Sequence, residues 1–190
     1  VSPRSALCRA GRMIWEGADV SDVGGESTRP GADSVPVREE LKRVLPAIRA
    51  SRSRWSDVPI SIDTVKAEVA RAALAEGVSV VNDVSGMSLD PQMAGVCADA
   101  GCNVVLMHSR GTVGEMASYD KAVYGSDPVG EMLSEREESI QTAQHAGIHP
   151  GRRGLDPGDG CHNENEHGVA GRGGGGRGWD RFEDRGVGEG

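Results

Sequence analysis

Short apolar runs ending in a polar residue recur through the first 150 residues, and each leads into a segment with helical spacing of apolar side chains. Residues 58–63 end in Asp63, residues 78–83 end in Asn82 and Asp83, and residues 103–107 run into His108. A shorter run, 18–23, feeds two adjacent glycines, and 153–156 closes the series at Asp156. Helices are expected at 5–17, 37–51, 65–76, 91–100 and about 128–146. The second of these places Leu41, Val44, Leu45 and Ile48 on one face with Pro36 near its start, where proline is tolerated. Thr64 is positioned to cap the third. Strict alternation of strand and helix implies a parallel sheet with crossover helices.

Two architectures satisfy that pattern, the doubly wound open sheet and the (β/α)₈ barrel. Both bind ligands beyond the carboxyl ends of their strands, which is where Asp22, Asp63, Asn82, His108 and Asp156 fall. No G-x-G-x-x-G follows the first strand, and no phosphate loop of the G-x-x-x-x-G-K type occurs. The barrel is therefore the expected fold.

The segment 22–31, Asp-Val-Gly-Gly-Glu-Ser-Thr-Arg-Pro-Gly, combines two glycines, an acid, two hydroxyls and an arginine in one turn. Glycine permits close backbone approach to a ligand, and the planar fork of Arg29 suits phosphate or carboxylate. It reads as a ligand loop at the end of a buried strand.

Composition divides the chain. Residues 151–190 hold 14 of the 28 glycines and only seven hydrophobic residues, too few to build a core. Residues 1–158 are expected to form the folded domain and 159–190 a glycine-rich, disordered tail. A net charge of −8 argues against a general nucleic-acid or membrane-surface role. No apolar run approaches the roughly 20 residues of a membrane span. Cys8, Cys97, Cys102 and Cys161 form no C-x-x-C pair and read as buried free thiols of a reducing compartment, hence the cytoplasm. The cluster Asp159, Cys161, His162, Glu164, Glu166 and His167 matches no zinc spacing. Two arginines among the glycines of 171–178 fit a flexible tail better than an RNA-binding one.

Five segments, in order, closely resemble the motifs of dihydropteroate synthases. They are 17–32 (Gly-Ala-Asp-Val-Ser-Asp-Val-Gly-Gly-Glu-Ser-Thr-Arg-Pro-Gly-Ala), Ile-Ser-Ile-Asp-Thr at 60–64, Val-Asn-Asp-Val-Ser-Gly at 81–86, Val-Leu-Met-His-Ser-Arg-Gly at 105–111 and Leu-Asp-Pro-Gly at 155–158. The resemblance implies a (β/α)₈ barrel of which about strands 2 to 6 are present. It also implies condensation of a dihydropterin pyrophosphate with p-aminobenzoate in folate biosynthesis, with Mg²⁺ assisting. By motif match, Asp63, Asn82 and Asp156 would hold the pterin, Met107 would wall the pocket, and Thr28 and Arg29 would lie by the pyrophosphate and the aminobenzoate. Arg29 and Asp63 are the expected catalytic pair.

The chemistry of the residues agrees. A pterin presents a guanidine-like edge of N–H donors, which carboxylates accept in charge-assisted bonds, and an amide serves donors and acceptors alike. The amine is itself the nucleophile, so no catalytic triad is needed. Plainer roles stand beside these: Asp63 as a helix N-terminal acid, Asn82 and Asp83 as turn residues, and His108 as a hydrogen-bonded strand-end histidine.

The resemblance fails at both ends. Nothing in 1–7 matches the family's first strand and its metal-contacting asparagine, and the pterin-contacting lysine and Arg-x-His of later strands find no counterpart. The expectation is a gene fragment with its C-terminal reading lost and with little or no turnover. Two alternatives remain, a pterin-binding methyltransferase-type domain and a non-catalytic pterin-binding module. A homodimer is compatible with the complete protein.

Overall fold

The computed structural model describes residues 3–27, 33–116 and 123–156. Thr28, Arg29, Cys161 and the whole 159–190 segment lie outside the described residues.

The elements alternate as the sequence requires. Helix α1 (Pro3–Trp15) precedes β1 (Ser21–Gly24), then α2 (Val37–Arg54), β2 (Ile60–Asp63), α3 (Ala67–Ala75), β3 (Val80–Asp83), α4 (Met93–Ala100) and β4 (Asn103–Met107). A short helix α5 (Val113–Met116) and the long α6 (Pro128–His145) lead through a 3₁₀ turn, Pro150–Arg152, to β5 (Arg153–Asp156). All four pairings are parallel, and the strands lie side by side in sequence order. A doubly wound sheet reverses its strand order at a switch point, whereas a barrel does not. The unreversed order is that of a barrel wall.

Side chains alternate across each strand, and the two faces differ in chemistry. Ile60 and Ile62 of β2, Val81 of β3, and Val104 and Leu106 of β4 pack against Val44 and Ile48 of α2, Val69, Ala70 and Ala73 of α3, and Met93 and Cys97 of α4. This sheet–helix layer is the core. The opposite face carries Asp22, Ser61, Asp63 and Asn82, with buried Val80 level with Ser61 and buried Val105 level with Asn82. Strands of a parallel sheet, covered on both sides, usually read as continuous apolar runs. Polar residues at alternate positions therefore mark a surface reserved for something other than packing.

Element ends show where local signals were misread. Asp127 caps α6 by accepting a hydrogen bond from the Gly130 N–H at 3.0 Å, with Pro128 just inside the start. Thr64 does not cap α3. That helix begins at Ala67, whose N–H donates to Asp90 Oδ2 at 2.8 Å, while Thr64 faces inward and donates to Glu40 at 2.8 Å. Cys97 and Cys102 are buried free thiols, but Cys8 is exposed. No helix among the described residues is long and apolar enough to cross a membrane.

Candidate active site

Asp63 and Asn82 are register partners at the carboxyl ends of β2 and β3, so their side chains project from the same face. Asp22 on β1 pairs in register with Ser61, two residues before Asp63. The Ser61 hydroxyl donates to Asp22 Oδ1, and Asn82 Nδ2 donates to Asp22 Oδ2 at 3.3 Å. Asn82 Oδ1 is left buried with no hydrogen-bond partner. A buried acceptor of that kind costs about 1–3 kcal/mol unless something satisfies it.

Both carboxyl groups are held toward protonation. Burial raises the Asp22 pKa, only partly offset by the bonds from Ser61, Asn82 and the Val23 backbone. Burial also lifts Asp63 well above the usual carboxylate range, and the negative charges of Asp22, Asp83, Glu40 and Glu26 push it further. Gly24, the register partner of Asp63, gives its carboxyl room: a Cβ there would sit 3.3 Å from Asp63 Oδ2.

Asp83 has a different task. It is fully buried and accepts from the N–H and hydroxyl of Ser85, at 2.8 and 2.7 Å, and from the Met87 N–H at 3.0 Å. The turn it organises carries Gly86 at φ 59° and Met87 at φ 68°. Asp83 thus builds the loop beside the site.

Beneath the glycine turn lies a buried ionic cluster. Lys66 Nζ donates to Glu26 Oε2 at 2.6 Å and to Glu40 Oε2 at 2.5 Å, and Thr64 donates to the other oxygen of Glu40. Glu26 Oε1 also accepts from the Val35 N–H at 2.6 Å, tying the two sides of the loop together. Desolvation alone would raise Glu26, but its bonds from Lys66 and Val35 outweigh that and lower its pKa. The same balance raises Lys66, because its two carboxylate partners overcome its desolvation.

At the far side, Met107 ends β4 and is the register partner of Asp156 on β5. His108 pairs through Nε2 with Glu135 of α6 at 2.6 Å, which fixes it as a strand-end histidine. Arg110 donates to Glu131 and Glu135 and lies over the Tyr124 ring at 4.0 Å, so its charge is already matched. A cleft of about 250 Å³ lies between α6 and the β3 and β4 ends, lined in part by Gly86, Met107, His108 and Ser139.

The structure thus brings Asp63 and Asn82 together and aligns Met107 with Asp156 in register, while Thr28 and Arg29 lie outside the described residues. Sequence reasoning placed Asp22 among the strand-end polar residues without giving it a role, and did not assign Ser61. The available signal was the i, i+2 spacing of Ser61 and Asp63 in a strand that otherwise reads Ile-x-Ile.

Parallel strands in barrel order with a polar cluster at their carboxyl ends define a segment of a (β/α)₈-type enzyme. The family model for pterin binding enzymes matches residues 1–172, and the chain belongs to that family. Among curated relatives, the dihydropteroate synthase of Synechocystis sp. is 43% identical over 156 residues, covering 82% of this chain and 53% of that protein. The dihydropteroate synthase of Bacillus subtilis is 43% identical over 155 residues, covering 82% and 50%. The chain therefore spans about half the length of these relatives. Two solved dihydropteroate synthases superpose on it, each 41% identical with a TM-score of 0.74 and 83% of this chain covered. The Xanthomonas albilineans enzyme, with 4-aminobenzoic acid, is covered over 54% of its length, and the Burkholderia cenocepacia enzyme, complexed with 7,8-dihydropteroate, over 55%.

Proposed function

We infer that this chain forms the pterin side of a dihydropteroate synthase site, in which a dihydropterin pyrophosphate condenses with p-aminobenzoate. The observation that carries the reading is the buried, unpartnered Oδ1 of Asn82 beside the raised carboxyl of Asp63. Both are acceptors waiting for N–H donors on one face, and a pterin edge supplies a contiguous row of them. On binding, those donors favour the ionised form of Asp63 and anchor the ring. The amine then attacks the methylene carbon, a C–N bond forms, the C–O bond to pyrophosphate breaks, and the amine loses a proton. Asp63, Asn82, Met107 and Asp156 orient the ring for that displacement, and Thr28 and Arg29 are assigned to the pyrophosphate and the aminobenzoate.

Family resemblance also implies Mg²⁺. The described residues do not fit a protein cage for it, since no group of three His, Cys, Asp or Glu side chains converges among them, and burial holds Asp22 and Asp63 toward their neutral forms. The chemistry assigned to these side chains does not run through the ion. A cytoplasmic location belongs to the same reading, supported by the free thiols Cys97 and Cys102.

Calorimetric titration with 6-hydroxymethyl-7,8-dihydropterin and with its pyrophosphate ester tests the assignment. Both are expected to bind, the ester more tightly, and p-aminobenzoate only once pyrophosphate is present. A folded chain that binds neither pterin would overturn the reading.

A further inference from the structure

The sequence places Asp22 at a strand end but gives it no role, yet its carboxyl touches the amide of Asn82. We propose that Asp22 is a positioning residue: it fixes the amide of Asn82 so that the oxygen, and not the nitrogen, faces the ligand. This rests on the pterin reading of the site and adds a specificity device to it.

An ionised Asp22 allows one orientation. Asp22 Oδ2 lies 3.3 Å from Asn82 Nδ2, a donor–acceptor contact. With Asp22 ionised, rotating the amide by half a turn would set Asn82 Oδ1 against that same carboxyl oxygen, two acceptors face to face. Asp22 cannot swing away to relieve the clash, because Ser61 donates to its other oxygen from the register-paired position on β2. Ser61, Asp22 and Asn82 thus form a chain across three neighbouring strands, and its free end is the unpartnered Oδ1. An asparagine without such a partner can serve either a donor or an acceptor on its ligand. Held this way, Asn82 accepts only ring positions that carry a proton.

The test uses the full chain and the dihydropterin ring without pyrophosphate. Asp22→Ala removes the acceptor, and Asp22→Leu removes it at nearly unchanged volume should the alanine variant lose its fold. Each is expected to weaken ring binding at least tenfold with an unchanged unfolding midpoint. In an Asn82→Ala background, titrated to saturation at higher ligand concentration, the same changes should alter affinity less than twofold. Equal losses in both backgrounds would show that Asp22 touches the ligand itself, and wild-type affinity in a folded Asp22 variant would show no role; either overturns the proposal. The side-chain amide protons of Asn82 provide a readout in the free protein. One should be shifted downfield and exchange slowly in the wild type and lose both properties in Asp22→Ala. If no pterin binds but this signature behaves as expected, the functional reading falls and the positioning stands. An amide pair unaffected by Asp22→Ala sinks the positioning.

Discussion

Lys66 holds its ammonium 2.5 Å from Oε2 of Glu40, a carboxylate with no solvent exposure, and 2.6 Å from Oε2 of Glu26. The three residues come from the α2 start, the β2–α3 turn and the glycine loop, so one cation locks three segments at the carboxyl end of the sheet. Removing one partner of a buried pair leaves the other charge uncompensated, which commonly costs 3–5 kcal/mol. Lys66 keeps some solvent contact, which places Lys66→Met at the lower end, about 3 kcal/mol. Urea unfolding of the two proteins measures this. A loss under about 1 kcal/mol would mean water screens the cluster as it does surface pairs.

The same cluster sets an acid limit. Glu26 has its folded pKa below the unfolded value, so its contribution is fully present above the ordinary glutamate pKa. It is lost as pH falls through the depressed folded value. Lys66 has the opposite sign: its pKa is raised, and its share disappears only at strongly alkaline pH. The Glu26 contribution is therefore expected to fall on acidification below about pH 4.5, and Glu26→Gln should flatten that part of the acid limb; Asp22 and Asp63, with raised pKa values, act with the opposite sign. An unaltered acid limb in Glu26→Gln would assign the loss to other carboxylates.

Two glycines should respond oppositely to alanine. A Cβ on Gly25 would lie 2.8 Å from Glu40 Cγ, 2.9 Å from Val44 Cγ1 and 3.2 Å from the Glu40 carbonyl oxygen. Backbone and buried side chains close that space, so Gly25→Ala should destabilise by about 1–3 kcal/mol. Gly95 sits inside α4 with nothing within 4 Å of its would-be Cβ. There alanine removes unfolded-state freedom and should stabilise by about 0.5–1 kcal/mol. Thermal midpoints moving in the same direction would contradict this account.

The strand ladder was legible because each strand is short, apolar and followed by a helix of clear period. Strands β4 and β5 begin and end where their residue patterns said they would. Asp63 and Asn82 were legible because each ends a strand, and parallel pairing then put them side by side. The partners of Asp22 and Lys66 were not. Lys66 meets partners 40 and 26 positions away, and Asp22 meets Asn82 across 60; no local pattern encodes such distances. Thr64 was misread because α3 starts two residues later than the spacing suggested: its Oγ1 accepts from the Lys66 N–H at 3.2 Å, one residue before the helix, while its hydroxyl donates to Glu40.

Asp63 gives the pterin reading a pH signature. Its carboxyl is held well toward the neutral form by burial and by the surrounding negative charges, while the ring's N–H donors favour the ionised form. Below the raised pKa the ligand must therefore displace a proton to bind. Affinity should rise with pH through that range and level off above it, and the heat of binding should vary with the ionisation enthalpy of the buffer. Asp63→Asn cannot ionise. It should bind at least about tenfold more weakly on the plateau, since hydrogen bonds to a charged partner contribute about 1.5–3 kcal/mol, and its affinity should no longer follow pH over this range. Wild-type binding that is flat with pH and indifferent to buffer would place the ring away from Asp63. The unpartnered oxygen of Asn82, one strand further along, would then need another donor.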